Sequence, residues 1–295
     1  MNPFYSVVLP TFNRSDFITG AINSLLNQTF DDWELIIVDD GSTDNTKEVV
    51  EQYSKKDPRI KYVYQKNSER SAARNNGIDK AKGNFVCFLD SDDEYDKNHL
   101  KILYDEIHNS VEKSNHFFIT NAQIKSKDRK KKLKNKVIVR SNSLETILLN
   151  SITPGQLCIP SKLIKENLFN TDIRISEDTD LLIRLAKNNT YKILPYHTHI
   201  YIEHEYNSVN PVKFNAYKER LNTLKYILKM DVCKGINKKL KRKILSDCYF
   251  GISKYYYAQN RILKSKLILL KALLIYPEIR LKEKLYLIIK NNKIQ

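Results

Sequence analysis

The run Asn84-Phe85-Val86-Cys87-Phe88-Leu89-Asp90-Ser91-Asp92-Asp93 decides the fold. A short apolar stretch of this kind reads as a buried strand, and it ends abruptly in carboxylates. In extended backbone, residues two apart point the same way, so Asp90 and Asp92 can converge on one hard cation or on the groups it binds. Three carboxylates this close repel one another unless a counter-charge is at hand. Acid clusters also occur on ordinary protein surfaces, so the discrimination comes from what precedes this one.

The first hundred residues alternate strand and helix patterns. Strands are predicted at Ser6–Leu9, Glu34–Val38, Ile60–Tyr64 and Asn84–Leu89. Helices are predicted at Asp16–Asn27, Thr43–Lys55 and Ser68–Lys82, with Ser42 or Thr43 capping the second. This spacing gives a βαβ series, hence an α/β class with a parallel sheet and ligands at the carboxyl ends of its strands. The polar motifs fall at those ends: Thr11-Phe12-Asn13 after the first strand, Asp39-Asp40-Gly41-Ser42 after the second and Asp90-Ser91-Asp92 after the fourth. Taken alone, Asp39, Asp40 and Ser42 also read as turn and capping residues.

Further along, Asn98–Glu112 reads as a helix, His116–Thr120 as a short strand and Lys125–Lys136 as a basic, apolar-poor loop. Short helices are expected at Leu144–Leu149 and Lys162–Asn167, with Gly155–Ile159 between them. Asp178–Lys187 carries leucines at helical spacing behind Glu177, and Tyr191–Leu194 and His199–Glu203 read as strands. From Val212 the pattern is helical, at Tyr217–Met230, Asn237–Tyr257, Ile262–Tyr276 and Ile279–Ile289. The predicted organisation is thus an α/β domain over 1–211 and a basic helical region over 212–295.

With 41% apolar and 28% charged residues, the chain reads as globular. Its formal charge of +16 resides entirely in the C-terminal part: 21 basic against 5 acidic residues from Lys213 to Gln295, and 29 of each sign before it. Such a surface suits anionic lipid or nucleic acid. The four widely spaced cysteines predict buried thiols in a reducing compartment, not a disulfide framework. A strand so near the N-terminus predicts no signal peptide, and no apolar stretch approaches the roughly 20 residues of a spanning helix.

The ordered set Ser6–Arg14, Leu35–Asp44, Ala73-Arg74-Asn75-Asn76-Gly77, Asp90-Ser91-Asp92 and Glu177-Asp178 before Leu181 resembles the family 2 glycosyltransferases. These are inverting enzymes with a GT-A fold, a Rossmann-like, mostly parallel central sheet flanked by helices that binds nucleotide-diphospho-sugars. The likeness runs over about residues 4–210 and leaves the C-terminal region outside it. It implies that Pro10, Thr11 and Asn13 lie beside the nucleotide, that Asp39 and Asp40 hold uracil or ribose, and that Arg70 or Arg74 stands near the base or diphosphate. Asp92 would take Mg²⁺ or Mn²⁺, Asp90 would serve the ribose side and the metal shell, and His204 would sit near the diphosphate and metal. Asp178 would be the catalytic base, with Glu177 beside it on the acceptor side.

Chemistry supports that division of labour. A departing diphosphate needs its charge neutralised, which a cation does without proton transfer. The base has the separate task of taking the proton from an attacking hydroxyl. A carboxylate at a helix start is a weak base because the dipole favours its charged form, and repulsion from Glu177 offsets this. The resemblance implies a UDP-sugar donor, a glycan or lipid-linked glycan acceptor and a cytoplasmic place near the inner face of a bacterial membrane. The C-terminal helices are expected either to lie on anionic membrane or to pack against the catalytic domain or a second subunit as a homo-oligomer; nucleic acid is not the expected partner. A nucleotidyltransferase-like enzyme and a non-catalytic basic module on the same fold are the alternatives. The first lacks its Gly-rich basic loop here, and the intact Asp90, Asp92 and Asp178 argue against the second.

Overall fold

The computed structural model describes residues 2–110, 116–125, 130–132 (backbone), 143–204, 216–278 and 283. Four parallel strands open the sheet: β1 (Tyr5–Thr11), β2 (Trp33–Asp39), β3 (Ile60–Tyr64) and β4 (Phe85–Phe88), in the order β3-β2-β1-β4. Helices α1 (Ile18–Leu26), α2 (Thr46–Ser54) and α3 (Glu69–Lys80) connect them. Every residue of β1, β2 and β4 is buried, as a sheet covered on both faces requires. Near the start of β2 lies the buried Glu34, which accepts from the Ser6 hydroxyl (2.6 Å), the Lys82 amide (2.8 Å) and the Lys61 ammonium. Burial pushes its carboxyl up, but these partners outweigh burial and hold it below the usual range. Gly77 lets α3 close onto the sheet: a Cβ there would stand 2.3 Å from Val8 Cγ1.

The second half of the sheet departs from the expected parallel series. It comprises β5 (Glu94–Tyr95), β6 (His116–Lys125), β7 (Lys130–Lys132), β8 (Leu157–Pro160) and β9 (Thr190–Ile202). With them come α4 (His99–Asn109), α5 (Leu144–Leu149), α6 (Ser161–Lys165) and α7 (Glu177–Leu185). Beyond β4 the order is β8-β6-β9-β5, with β7 on β6. β8 enters antiparallel between β4 and β6, β9 runs parallel to β6, and β5 returns antiparallel on β9, so the sheet is mixed. The two strands expected at Tyr191–Leu194 and His199–Glu203 form one, because the polar break at Pro195–His197 is absorbed by a register shift between Ile119 and Asn121.

The Lys125–Lys136 tract is also not wholly a loop. Lys125 ends β6 and pairs with Lys130, and a lysine-rich strand is at home on an edge, where backbone pairing needs no apolar side chain. The rest of that tract and the predicted helix Ile279–Ile289 fall largely or wholly outside the described residues. All four cysteines are buried and free, Cys87 facing Cys158 across β4 and β8.

The chain divides into two compact units, Met1–Ser143 with Asn150–His204, and Leu144–Leu149 with Glu205–Gln295. In the second, α8 (Ala216–Ile227), α9 (Lys238–Ala258) and α10 (Ile262–Ile275) follow one another, and α5 packs on α9. The α9–α10 turn is a Schellman motif. Asn260 sits in the left-handed region at φ 56°, its amide donates to Tyr257 and the Arg261 amide donates to Tyr256.

Candidate active site

The singled-out residues gather at the carboxyl ends of β1, β2 and β4, with α3, the start of α7 and His204 after β9 reaching the last of these. At the first two ends, neutral groups do the holding: backbone amides, hydroxyls and side-chain amides. Asn13 adopts φ 51°, a conformation its short amide tolerates, and its Oδ1 accepts from the Thr43 amide at 2.8 Å. Its own amide donates to Ser42 Oγ at 2.9 Å. Ser42 and Thr43 are therefore tied to Asn13 and do not cap α2, whose first turn is served by Asp44 accepting from the Thr46 amide at 3.0 Å. Gly41 turns at φ 83° to allow this.

Asp39 and Asp40 are both buried. The first accepts from the Ser42 amide (2.8 Å) and the Tyr62 hydroxyl (2.7 Å), using both oxygens. Among the described residues Asp40 uses only Oδ1, which accepts from Gln65 Nε2 (2.7 Å) and the Ser68 amide (2.8 Å). The Thr11 carbonyl accepts from the Asp40 amide at 2.8 Å, and the buried Thr11 hydroxyl has no partner among the described residues. Pro10 is buried in β1, paired in register with Val38.

The end of β4 is held by charge. Arg74, 2% exposed on α3, donates to Asp90 Oδ1 at 2.8 Å and to Glu177 Oε1 at 3.0 Å, with its guanidinium 5.4 Å from the Phe169 ring centre. Burial pushes Asp90 up, but the Arg74 charge and hydrogen bond outweigh it and hold this carboxyl below its ordinary range. The same two carboxylates raise Arg74 against its own burial. Asp92 moves the other way: burial, then the charges of Asp90 and Asp93, raise it, while Arg14 and His204 pull it back. His204 Nε2 stands 3.2 Å and Arg14 Nε 3.7 Å from Asp92 Oδ2, and the His204 ring stacks on Phe17 at 4.5 Å. Asp93 turns inward, to His199 Nε2 at 3.0 Å and the Ile202 amide at 3.0 Å, which ties this turn to β9.

Glu177 and Asp178 open α7, directly after Ser176 at φ 67°. That left-handed residue is costly for a serine and sets the direction in which the helix starts. Glu177, expected on the acceptor side, is buried and turned to Arg74, with Arg70 at 4.0 Å. Asp178 remains partly accessible and caps the Thr179 amide at 2.6 Å. Burial first, and the adjacent Glu177 charge second, push its carboxyl from 3.8 up to about 7. The offsetting of the helix-start effect by Glu177 thus has the direction foreseen, although burial is the larger cause.

Arg70 and Arg74, interchangeable in the sequence, now differ. Arg74 is committed within the fold, whereas Arg70 is a third exposed at the site's margin. Arg14, Phe17, Asp93 and His199 also belong to this constellation and were not among the expected site residues. Arg14 and Asp93 lay inside the quoted motifs. His199 and Phe17 carried no signal, because their roles come from β9 and α1 meeting the β4 turn.

The Glycosyl transferase family 2 model matches residues 6–162, more than half of the chain. A putative teichuronic acid biosynthesis glycosyltransferase TuaG of Bacillus subtilis is 45% identical over 100 residues, 34% of this chain and 40% of its own length. The GalNAc(5)-diNAcBac-PP-undecaprenol beta-1,3-glucosyltransferase of Campylobacter jejuni is 49% identical over 94 residues, 31% of this chain and 30% of its own. Both matches thus span well under half of the relative's length. Among solved structures, S. aureus TarS 1-349 in complex with UDP-GlcNAc superposes with a TM-score of 0.58 at 20% identity, covering 94% of this chain and 89% of that one. The mannosyltransferase PcManGT from Pyrobaculum calidifontis, in complex with GDP-Man and Mn2+, does so with 0.59 at 17%, covering 99% and 87%. At such identities these likenesses speak to fold alone, a GT-A-like architecture. With a family model spanning the first strand, both acidic turns and β8, the chain belongs to glycosyl transferase family 2.

Proposed function

We propose that this chain is a metal-dependent inverting glycosyltransferase that moves a hexose or N-acetylhexosamine from a UDP-sugar to a glycan or lipid-linked glycan acceptor. One observation carries the reading: Arg74 joins Asp90 to Glu177, and so brings the turn after β4 and the start of α7, with Asp178, to one place. Asp40, with Oδ2 unengaged among the described residues, is the base or ribose contact, and Asp39 shapes its turn. Asp178 takes the acceptor proton. A carboxyl raised to about 7 is well matched to that role near neutrality, and displacement from the opposite face inverts the anomeric centre.

Mg²⁺ or Mn²⁺ fits the residues present. Among the described residues no three His, Cys, Asp or Glu side chains form a self-sufficient cage. A cation that keeps waters and takes phosphate oxygens needs only one or two carboxylates, which Asp92 and Asp90 supply with His204 alongside. When bound, the ion would neutralise the departing diphosphate. The names of the relatives from Bacillus subtilis and Campylobacter jejuni support a bacterial surface or lipid-linked glycan as the product. Within this reading it is made at the cytoplasmic face of the membrane.

A thermal-shift panel of UDP, GDP, dTDP and CMP, each with and without Mn²⁺, tests the donor site. UDP is expected to raise the melting temperature, and to do so only with metal, because a ligand that binds the native state alone stabilises it by mass action. A folded sample that responds to no nucleotide would overturn the reading.

A further inference from the structure

α10 packs on one face and is bare on the opposite one. Ser265, Leu269 and Ala272 are buried; the Ser265 hydroxyl donates to the Ser253 carbonyl at 2.9 Å, and the Ala272 carbonyl accepts from the Ser246 hydroxyl at 2.7 Å. Directly across the helix stand Leu263, Leu267, Leu270 and Leu274, exposed by 79, 68, 55 and 80%. Their spacing of four, three and four keeps them within about 60° of one another around the axis, over about 16 Å of its length. Four leucines exposed by more than half make a patch on the order of the few hundred Å² that marks an interaction surface.

The flanks of the stripe say what covers it. Lys266 lies on one side, Lys264 and Lys271 on the other, each roughly 70–90° from its centre, and α10 has no acidic residue. Lys264 and Lys271 rest against the Tyr256 and Tyr249 rings, at 4.3 and 4.6 Å from their centres. Apolar residues on the mid-line with cations along both edges match a bilayer surface, acyl chains under the stripe and anionic headgroups beside it. A face made for a second protein copy would meet this same basic unit, with like charge opposite its lysines.

We infer that this face of α10 docks the protein onto an anionic lipid bilayer, lying in the interface and not crossing it. No described helix is long and apolar enough to span a membrane. The assignment deepens the proposed function and rests on it only for the inner leaflet as the surface at hand.

Vesicle co-sedimentation of the full chain tests it, with equal parts phosphatidylcholine and phosphatidylglycerol against phosphatidylcholine alone. Binding is expected to the anionic vesicles, to weaken in high salt, and to fall about a hundredfold or more in L267E/L270E, since each leucine contributes about a tenfold factor or more when buried. The double variant changes only exposed positions, so its melting temperature and helicity should match wild type. A K264E/K266E variant supplies a second readout that leaves the stripe intact: binding should drop severalfold and lose most of its salt dependence. Failure of the wild type to bind, or binding that survives L267E/L270E, overturns the inference. A wild-type dimer that becomes monomeric in L267E/L270E assigns the face to a second copy and overturns it too. The UDP thermal shift, measured on the same samples, reports on the donor site separately, so loss of vesicle binding with that shift retained rejects the docking face and leaves the enzyme reading standing.

Discussion

Two acidic turns flank β1, one after β2 and one after β4, and they are held by opposite means. Asp39 and Asp40 rest on neutral donors, two amides, a phenol and a side-chain amide. Asp90, Asp92 and Asp93 rest on two arginines and two histidines. Neutral donors fix a carboxylate in place and let it keep its charge for a ligand's N–H or O–H. Two guanidinium partners offset the charge of a cluster that would otherwise repel itself, and two imidazoles hydrogen-bond it in place. The first turn is held by neutral hydrogen bonds, the second largely by charge.

That contrast is sharpest where the charged side reaches α7. Asp178→Asn is expected to lower sugar transfer by about 10²–10⁴-fold, the ordinary worth of a general base, while UDP still raises the melting temperature. Full activity in that variant would remove Asp178 from the mechanism. In the wild type, transfer should fall about tenfold per pH unit as the pH drops below about 7, following loss of the unprotonated base. Stability should run the other way. Between the ordinary 3.8 and about 7 the native state keeps a proton that the unfolded chain has released, so this group's contribution declines as pH rises through that window.

The two modes of support should also differ in what their removal costs. Arg74→Met strips a buried guanidinium from Asp90 and Glu177, leaving Glu177 buried without its main counter-charge, and should destabilise the fold by about 3–5 kcal/mol in chemical denaturation. Tyr62→Phe removes one neutral donor from Asp39 and should cost about 1 kcal/mol. Equal losses would mean that the charged cluster is no more dependent on its partners than the neutral one. On the fold itself the smallest effect is expected from Asp40→Asn, which keeps the shape of the turn but loses the carboxylate: the melting temperature should change little, while UDP binding weakens by about tenfold by calorimetry.

Much of this was legible in the chain itself. Apolar runs followed by acid, with helices at regular spacing between them, placed β1 to β4 and both turns, because local pattern and tertiary role agree there. What the pattern did not carry is non-local. β8 is four residues long and owes its place between β4 and β6 to the sheet around it. The continuity of β9 is hidden by Pro195 and the polar residues that follow. Arg74 stands in one of the motifs of the resemblance, but nothing local tells it from Arg70 until Glu177, 103 positions away, is seen against it. The leucines of α10 are spread around a mostly apolar helix, and only packing on α9 shows which of them face out.

The insertion of β8 between β4 and β6 carries a consequence for the chain as it leaves the ribosome. β1 to β4 are complete by Phe88, but the strand that covers the open edge of β4 arrives about seventy residues later. At ordinary synthesis rates that edge waits roughly 3–15 seconds, a row of unpaired amides and carbonyls on an apolar strand. The nascent protein therefore passes through a stage in which its nearly finished core is also its stickiest surface, and chaperone demand during synthesis should peak before residue 160 emerges.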